Sequence, residues 1–349
     1  MTQVVQAMPE SPSSSGAGFT ALAPLLVPGD RGAEETVHIS FAARRLNTLA
    51  DATKADIVIF GVPFDGGTHT HVGTDKGPMG VREAFSLFRT YSADLGFDFA
   101  DVVSVADVGN VAINEWRRYD EMLGGVTALV SAITTAEKVP IMIGGDHSIA
   151  YPAVKAFAET TDSPIGLVWI DNHFDAWPPF RGDPLHCGCP LAHLVKSLPE
   201  HLAARNVVHI GSRGYGNSAV SARQVAELGV NVVPVSEVER SGAIEVSRRA
   251  MELAWDGTAA VYVSMDLDAA DLVYAPGTQS SRPGGLTARE MMTLARECAL
   301  RGARGFDVVE CAPQADVSGA TAALAAELVL EAIGGVAARI RDRCPEEPR

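Results

Sequence analysis

The middle of the chain reads Ile165-Gly166-Leu167-Val168-Trp169-Ile170, and Asp171-Asn172-His173-Phe174-Asp175 follows directly. The first six residues are almost all apolar, which is typical of a strand buried on both faces of a parallel sheet. The next five contain two carboxylates and an imidazole. In parallel α/β sheets, functional groups collect where the strands end. The stretch therefore predicts a buried strand with a functional site at its carboxyl end.

Seven further segments share this apolar, β-branched character. The segments between them place apolar residues three and four positions apart, as in a helix with one buried face. Strands and helices that alternate in this way predict one α/β domain, a three-layer α/β/α sandwich around a mainly parallel, eight-stranded sheet. The predicted strands are residues 55–62, 102–108, 140–144, 165–170, 207–211, 230–235, 259–265 and 305–309, and the predicted helices are residues 82–93, 120–137, 219–228, 243–254, 288–300 and 321–340.

The two ends of the chain depart from this pattern. The run Ser11-Pro12-Ser13-Ser14-Ser15-Gly16 cannot bury an apolar face. We expect a flexible arm over residues 1–35, a single catalytic domain over residues 36–343 and a short tail over residues 344–349.

The 349-residue chain carries a formal net charge of -15, with 47% hydrophobic and 20% charged residues. These values predict a globular protein and argue against nucleic acid or an anionic membrane as a partner. The negative charge suits a small cationic substrate. Five cysteines are too few and too scattered for a disulfide framework. We also expect no apolar run of the roughly 18 residues that are needed to span a bilayer. The sequence therefore predicts a cytoplasmic protein.

Acidic and histidine residues also follow three other predicted strands. His147 comes after residues 140–144, Asp266 and Asp268 come at the end of residues 259–265, and Glu310 follows residues 305–309. In an extended segment, residues i, i+2 and i+4 point to the same side, so each alternating run can aim its polar side chains at one point. We expect all of these groups to converge at one edge of the sheet.

Four carboxylates and two imidazoles would meet there: His147, Asp171, His173, Asp175, Asp266 and Asp268. Oxygen and nitrogen ligands without a thiolate suit divalent manganese, nickel or cobalt. Four carboxylates would repel one another around one ion, whereas two ions bridged by Asp171 and Asp266 would neutralise them. Such a pair can share a hydroxide whose pKa is lowered toward neutrality. Each run alone would also suit an ordinary strand end, but their conjunction favours a metal centre.

The motifs resemble those of the ureohydrolases, the arginase and agmatinase family, from about residue 57 to residue 340. The runs that contain metal ligands are specific to the family, whereas Gly-Pro before a helix is not. The matching runs are Gly61-Val62-Pro63-Phe64-Asp65, Gly77-Pro78, Gly144-Gly145-Asp146-His147-Ser148, residues 171–176, Ser264-Met265-Asp266-Leu267-Asp268, Ala275-Pro276-Gly277-Thr278, Pro283-Gly284-Gly285-Leu286-Thr287 and Val309-Glu310.

The resemblance implies an arginase-like fold and two divalent ions, Mn2+ in most members and Ni2+ in some. A hydroxide that bridges the ions would attack the guanidinium carbon of a substrate paired with Glu310, and urea and an amine would be released. The family also implies a homo-oligomer, a trimer or hexamer, which can include a paralogous subunit. The implied ligands are His147, Asp171, Asp175 and Asp266 for one ion, and Asp171, His173, Asp266 and Asp268 for the other.

The departures from the family lie on the substrate side. Where arginases have a polar residue that reads the amino-acid end of the substrate, this chain has Trp177, followed by Pro178-Pro179-Phe180. The family's Gly-Thr-Gly-Thr-Pro is replaced by Gly277-Thr278-Gln279-Ser280-Ser281. An apolar loop argues against an α-amino acid. We expect a small or alkylated guanidino compound of the guanidine, N-alkylguanidine, metformin, agmatine or guanidinobutyrate type.

The family's proton shuttle is a histidine followed by glycine, and this chain has His186-Cys187-Gly188-Cys189-Pro190 in the corresponding loop. Alignment on the glycine and proline puts Cys187 at the shuttle's place, and a shift by one residue puts His186 there. His186 is favoured, also as a substrate-binding residue, because imidazole titrates near neutral pH and can pass a proton to a leaving amine. His69 and His71 are expected on a solvated loop.

Two other functions remain open. The same centre could hydrolyse a formimino or amide bond, which would give ammonia or a carboxylate without urea. The chain could also be a non-catalytic subunit of a hetero-oligomeric ureohydrolase, although such a subunit would be expected to lose metal ligands and none is lost here.

Overall fold

A computed structural model describes residues 26–27, 52–68, 73–115, 118–161 and 163–343. The strands within these residues are β1 (Leu26–Val27), β2 (Ile57–Gly61), β3 (Tyr91–Ser92), β4 (Phe97–Asp98), β5 (Val105–Val111), β6 (Val139–Ile143), β7 (Ile165–Ile170), β8 (Val207–Ile210), β9 (Asn231–Val233), β10 (Ala260–Asp266) and β11 (Gly305–Val309). Eight of them form the predicted parallel sheet, in the order β5-β2-β6-β11-β10-β7-β8-β9. The short β1 pairs antiparallel with β5 at one edge, and β3 and β4 form a separate hairpin.

Helices cover both faces of this sheet and complete the three predicted layers. In the described residues they are α1 (Gly77–Ala84), α2 (Tyr119–Thr135), α3 (Ala150–Glu159), α4 (Pro190–Ser197), α5 (Ala219–Leu228), α6 (Val235–Ser241), α7 (Ala243–Ala254), α8 (Ala288–Leu300) and α9 (Ala320–Arg343). Successive residues of a strand point to opposite faces, so each strand serves two apolar cores. Val261 and Val263 pack in the core that includes α1, α7, α8 and α9, whereas Tyr262 packs in the core that includes α2, α3 and α4.

Most predicted elements are present, and one helix prediction is wrong. Helices α5, α7 and α8 begin and end where predicted, and Thr287 forms a capping box with Glu290 at the start of α8. The helix predicted over residues 82–93 is instead α1, which begins earlier because Pro78 suits a first helical turn. Arg82 points inward and pairs with Asp107 at 2.8 Å, and the chain then turns into the β3–β4 hairpin. Helices α3, α4 and α6 are not among the predicted elements.

The predicted arm and tail lie largely outside the described residues, and so do His69 and His71. Within the arm, Leu26 and Val27 are described, and they pair with Val111 and Asn110 of β5. The division of the chain into arm, domain and tail therefore stays a prediction.

Helix α9 corrects the expectation about apolar runs. Residues Ala320–Asp342 are long and apolar enough to cross a membrane by length and composition. However, 78% of the most apolar stretch is buried inside the protein, where residues such as Leu328 and Ile333 contribute to the core. Its apolar character is thus accounted for by packing inside the fold.

The four strands that lead to the predicted site are neighbours at the centre of the sheet, in the order β6-β11-β10-β7. All four are parallel, so their carboxyl ends meet at one edge. His147 follows β6, Glu310 follows β11, Asp266 ends β10 and Asp171 follows β7. The topology thereby places His147 against Glu310, which is 163 positions away in the sequence.

Candidate metal centre

One group of side chains surrounds the His147 imidazole, and we call it the inner group. Its Nδ1 atom lies 3.2 Å from Asp171 Oδ2, 3.1 Å from Asp175 Oδ2 and 3.1 Å from Asp266 Oδ2. All four side chains are buried. Although three carboxylate oxygens are so near, Nδ1 has no hydrogen-bond partner among the described residues. One imidazole nitrogen and three carboxylate oxygens around one point suit a divalent ion better than a hydrogen-bond network.

A second group lies on the other side of Asp171, and we call it the outer group. His173 Nδ1 lies 2.9 Å from Asp268 Oδ2 and 3.7 Å from Asp171 Oδ1. Asp171 therefore directs one carboxylate oxygen toward each group. Both triads, His147 with Asp171 and Asp175 and Asp171 with His173 and Asp268, have ligand atoms close enough together to hold one ion each.

The electrostatics of the cluster favour bound positive charge. Burial and then neighbouring carboxylates raise the pKa of Asp171 and Asp266 to about 8. Burial opposes a charge on His173, but the carboxylates, Asp268 foremost, raise its pKa to about 10. Burial likewise opposes a charge on His147, yet its contacts with the aspartates raise its pKa well above the usual range. Without metal, these side chains thus bind protons strongly, as expected of groups whose negative charge would otherwise be neutralised by divalent ions.

The backbone of the 171–175 run is not extended, contrary to the prediction. β7 ends at Ile170, and the residues after it form a loop. Asp175 has a φ of 43°, and Glu310 has a φ of 69°. Residues other than glycine rarely adopt such left-handed values, and strained backbone of this kind concentrates at functional sites. The ligands therefore converge because the loop is shaped, and not because a strand alternates.

Two residues that the sequence analysis missed orient the ligands from behind. The Trp169 ring stacks on the His147 imidazole, with centroids 4.1 Å apart and 11° between the planes. Its indole N–H donates to Asp171 Oδ2 at 3.0 Å. On the far side of the ring, His147 Nε2 lies 2.9 Å from Ser264 Oγ. Such partners fix the ring so that Nδ1 faces the carboxylates.

Ser264 is itself held by a buried acid, because its hydroxyl donates to Asp307 Oδ1 at 2.7 Å. Ser264 lies two residues before Asp266 in β10, so strand alternation could have placed it on the same face. Asp307 becomes its neighbour only through the pairing of β10 with β11.

Glu310 lies next to the inner group and is 4% exposed. Its Oε1 accepts the backbone N–H of His147 at 2.8 Å, and its Oε2 has no hydrogen-bond partner among the described residues. Burial and then the charges of Asp266 and Asp146 raise its pKa well above the usual range. A buried carboxylate with an unused oxygen is suited to a cationic donor such as guanidinium.

The loop after Asp175 brings three rings together: Trp177, Phe180 and His186, which we call the aromatic cluster. The rings of Trp177 and Phe180 meet edge to face with centroids 6.0 Å apart, and Phe180 and His186 lie 4.5 Å apart. Trp177 is 38% exposed, so solvent or a ligand can reach it. The predicted apolar loop is thus a cluster of rings that begins two residues beyond the metal-ligand run.

The two candidates for the shuttle are adjacent, and the Cys187 sulfur lies 4.0 Å from His186 Nδ1 and 4.0 Å from Gln279 Oε1. Burial, followed by the charges of Glu310 and three aspartates of the site, raises the pKa of the Cys187 thiol well above its usual range. The His186 ring rests on Phe180, and its Nδ1 accepts the backbone N–H of Gly188 at 3.0 Å. These contacts place the imidazole in the aromatic cluster, and the choice of His186 as the shuttle stays a prediction.

Known proteins share this fold and this sequence pattern. The model of the arginase family matches residues 55–334. Mitochondrial agmatinase of Gallus gallus is 34% identical over 287 residues, which cover 82% of this chain and 83% of the relative. Formimidoylglutamase of Halobacterium salinarum is 30% identical over 292 residues, which cover 82% and 90% of the two chains.

Proclavaminate amidinohydrolase of Streptomyces clavuligerus is similar in both sequence and structure. It is 34% identical over 278 residues, which cover 79% of this chain and 86% of the relative. Its solved structure superposes with a TM-score of 0.73 and 31% identity, over 82% of this chain and 92% of the other.

Proposed function

The chain belongs to the arginase family of metal-dependent hydrolases, and from this premise we propose that it cleaves the C–N bond of a small or alkylated guanidino compound to urea and an amine. The observation that carries the proposal is the position of Asp171, which is shared by the inner and outer groups beside the buried Glu310. A pair of ligand groups with a common carboxylate is the arrangement that a two-metal hydrolase needs.

In this proposal the protein binds two divalent ions, which are Mn2+ in preference to Ni2+. The inner group binds one ion, and the outer group with Asp266 binds the other. The bound ions supply a hydroxide nucleophile near neutral pH. The protein's own contribution is to hold the ligand side chains in place and to orient the substrate.

Glu310 is proposed to orient the substrate through its unused Oε2. A guanidinium presents a planar fork of N–H donors that a carboxylate accepts well. Because the other oxygen, Oε1, is tied to the His147 backbone, the carboxylate cannot swing away from the ligand set. The substrate carbon would thereby be held next to the nucleophile.

Glu310→Gln should lower kcat/KM by about 100-fold, which corresponds to about 2.7 kcal/mol of transition-state stabilisation. Glutamine keeps the shape but loses the charge that pairs with the cation. Metal content should not change, because Glu310 is proposed to bind substrate and not metal. The control is Glu252→Gln, which makes the same change on a side chain that is 61% exposed. Unchanged kinetics, or loss of metal together with activity, would contradict this role.

The aromatic cluster supports an alkylated or otherwise apolar substrate. The face of an aromatic ring attracts an organic cation by about 0.5–1 kcal/mol at exposed sites, and it packs against alkyl groups. We propose that Trp177 and His186 contact the substrate in this way, at the place where arginases read an amino-acid end. His186 is also the proposed proton shuttle, because imidazole titrates near neutral pH, whereas burial raises the pKa of the Cys187 thiol well above its usual range.

A substrate panel tests the proposal. Urea release should be measured on arginine, agmatine, guanidinobutyrate, guanidine and N-alkylated guanidines such as metformin, with Mn2+- and Ni2+-loaded protein in parallel. We expect kcat/KM for the preferred compound to exceed that for arginine by at least about 100-fold, the discrimination that a misfitting polar end can produce. Strongest turnover on arginine would contradict the substrate assignment.

The formimino alternative is kept because formimidoylglutamase is among the relatives. Release of formamide or ammonia, without urea, from a formimino compound would favour it. Purified protein with only traces of bound metal would favour the non-catalytic subunit instead.

We further propose a cytoplasmic homo-oligomer, a trimer or hexamer that can include a paralogous subunit. A measurement of the molar mass in solution tests the oligomeric state.

A further inference from the structure

Three polar side chains reach from β8 and the segment after it to the backbone of the metal-ligand runs. They are His209, Arg213 and Asn217, and we call them the β8 clamp. His209 is fully buried, and its Nε2 lies 2.6 Å from the backbone oxygen of His173. Because a carbonyl oxygen can only accept, Nε2 carries the proton and donates it in this bond.

Asn217 holds the same loop from both sides of His173. Its Oδ1 accepts the backbone N–H of Phe174 at 2.8 Å, and its Nδ2 donates to the backbone oxygen of Asn172 at 2.8 Å. Together with His209, it satisfies the peptide groups around His173. The loop needs these partners because it leaves the sheet, where a neighbouring strand would otherwise supply them.

Arg213 holds the second run, the turn that carries Asp268. Its half-buried guanidinium donates to the backbone oxygens of Asp268 at 3.0 Å, Ala269 at 3.1 Å and Ala270 at 3.1 Å. A further bond at 2.9 Å reaches the backbone oxygen of Arg282. A guanidinium has five donors in a rigid plane, so a single side chain can fix the whole turn.

The clamp acts mainly on one side of the centre. Its described hydrogen bonds reach the peptide groups around His173 and the backbone oxygen of Asp268, the two ligands that belong to the outer group alone. The bond to the Phe174 N–H also lies next to Asp175 of the inner group. The inner ligand His147 is instead positioned by Ser264 and Glu310. The two proposed ion sites share Asp171 and Asp266, and the outer one depends more on the clamp.

We infer that the β8 clamp controls the affinity for the outer metal ion more strongly than the affinity for the inner one. The inference rests on the proposed two-ion site, and it makes the clamp side chains positioning residues. Loss of a clamp bond removes no ligand, but it lets the ligand-bearing backbone spread over more conformations. Partners that orient metal ligands typically change metal affinity by about 10- to 100-fold.

Asn217→Ala in the full-length protein tests the inference by Mn2+ titration. We expect affinity for the outer ion to fall about 10- to 100-fold, with a smaller change for the inner ion. At a Mn2+ concentration that fills both sites of the unaltered protein, the variant should retain about one ion per chain. Its electron paramagnetic resonance spectrum should lose the signal of a magnetically coupled pair, because bridged ions lie only about 4 Å apart.

The matched control is Asn231→Ala. The Asn231 amide also donates to two backbone oxygens, those of Arg205 at 2.8 Å and Val207 at 3.1 Å, but at the opposite end of β8. This variant should keep both ions and the coupled spectrum. Asn217→Asp keeps the acceptor for the Phe174 N–H, so its outer affinity should lie between those of Asn217→Ala and the unaltered chain, and it replaces Asn217→Ala if that variant does not fold.

An equal loss of affinity for both ions, or an unchanged affinity for the outer ion, would overturn the inference about the β8 clamp. An unaltered chain that binds fewer than two ions would overturn the proposed function itself. The two failures are therefore distinguishable in the same titration.

Discussion

Asp171→Asn should reduce hydrolysis by at least about 1,000-fold, a loss of about 4 kcal/mol of transition-state stabilisation. Asp171 directs Oδ2 toward His147 and Oδ1 toward His173, so both proposed ions depend on it. Asparagine keeps the shape of the side chain but removes the negative charge that hard divalent ions prefer. Product release at saturating Mn2+ and the number of bound ions per chain measure the effect.

The control for this variant is Asp342→Asn, the same chemical change on a side chain of α9 that is 69% exposed. It should leave both activity and metal content unchanged. Folding can be separated from chemistry, because burial and the charge of Asp175 raise the pKa of Asp171 to about 8. Removal of this carboxylate should therefore not lower the stability of the metal-free protein at pH 8. A variant with two bound ions and full turnover would show that Asp171 is no bridge.

Removal of the metal ions should lower the melting temperature by about 10 °C at pH 8.5 and by less at pH 6. Two sites filled at about 100 times their dissociation constants stabilise the fold by about 2.7 kcal/mol each. The melting temperature of a chain of this size shifts by about 2 °C for each kcal/mol of change in the free energy of unfolding. The metal-free protein also keeps a cluster of buried carboxylates whose mutual repulsion is no longer offset.

The pH dependence follows from the raised pKa values in that cluster. Asp171 and Asp266 have a pKa of about 8 in the folded protein and 3.8 ordinarily, so the folded state binds more protons between these values and loses stability as the pH rises. His173 acts in the same direction: its stabilising contribution is complete below 6.5 and is lost as the pH rises through about 10. Bound ions replace these protons and so protect the loaded protein.

Calorimetry of chelator-treated and Mn2+-reloaded protein, from pH 6 to pH 9, measures this difference. The gap in melting temperature should widen steadily with pH, and reloading should close it. A gap of the same size at every pH would show that the buried carboxylates do not govern the stability of the metal-free protein.

The fold class could be predicted from local patterns. A strand buried on both faces must be apolar at nearly every position, and this property is visible within each segment. The eight predicted strands are therefore present, with ends that differ by a few residues. The helix predicted over residues 82–93 was wrong because the chain leaves α1 after Ala84 and turns into the β3–β4 hairpin, while Arg82 is buried against Asp107.

The direction of individual side chains could not be predicted from local sequence patterns. His186 and Cys187 are adjacent, and the sequence does not reveal the contacts of the His186 ring with Phe180 and with the Gly188 N–H. The 171–175 run was expected to converge through strand alternation, yet its loop takes its shape from bonds to residues of β8 and beyond. Neither contact leaves a periodic signal in the sequence.

Residue types and their spacing were enough to establish a parallel α/β sheet with carboxylate and imidazole ligands at its strand ends, because burial preference and ligand chemistry belong to each residue. Which groups become neighbours was settled by the order of the strands. That order puts β6 beside β11, which joins His147 to Glu310, and β8 beside β7, which puts Asn217 against the loop that carries His173. Strand order depends on burying both faces of the whole sheet at once, so no single segment contains it.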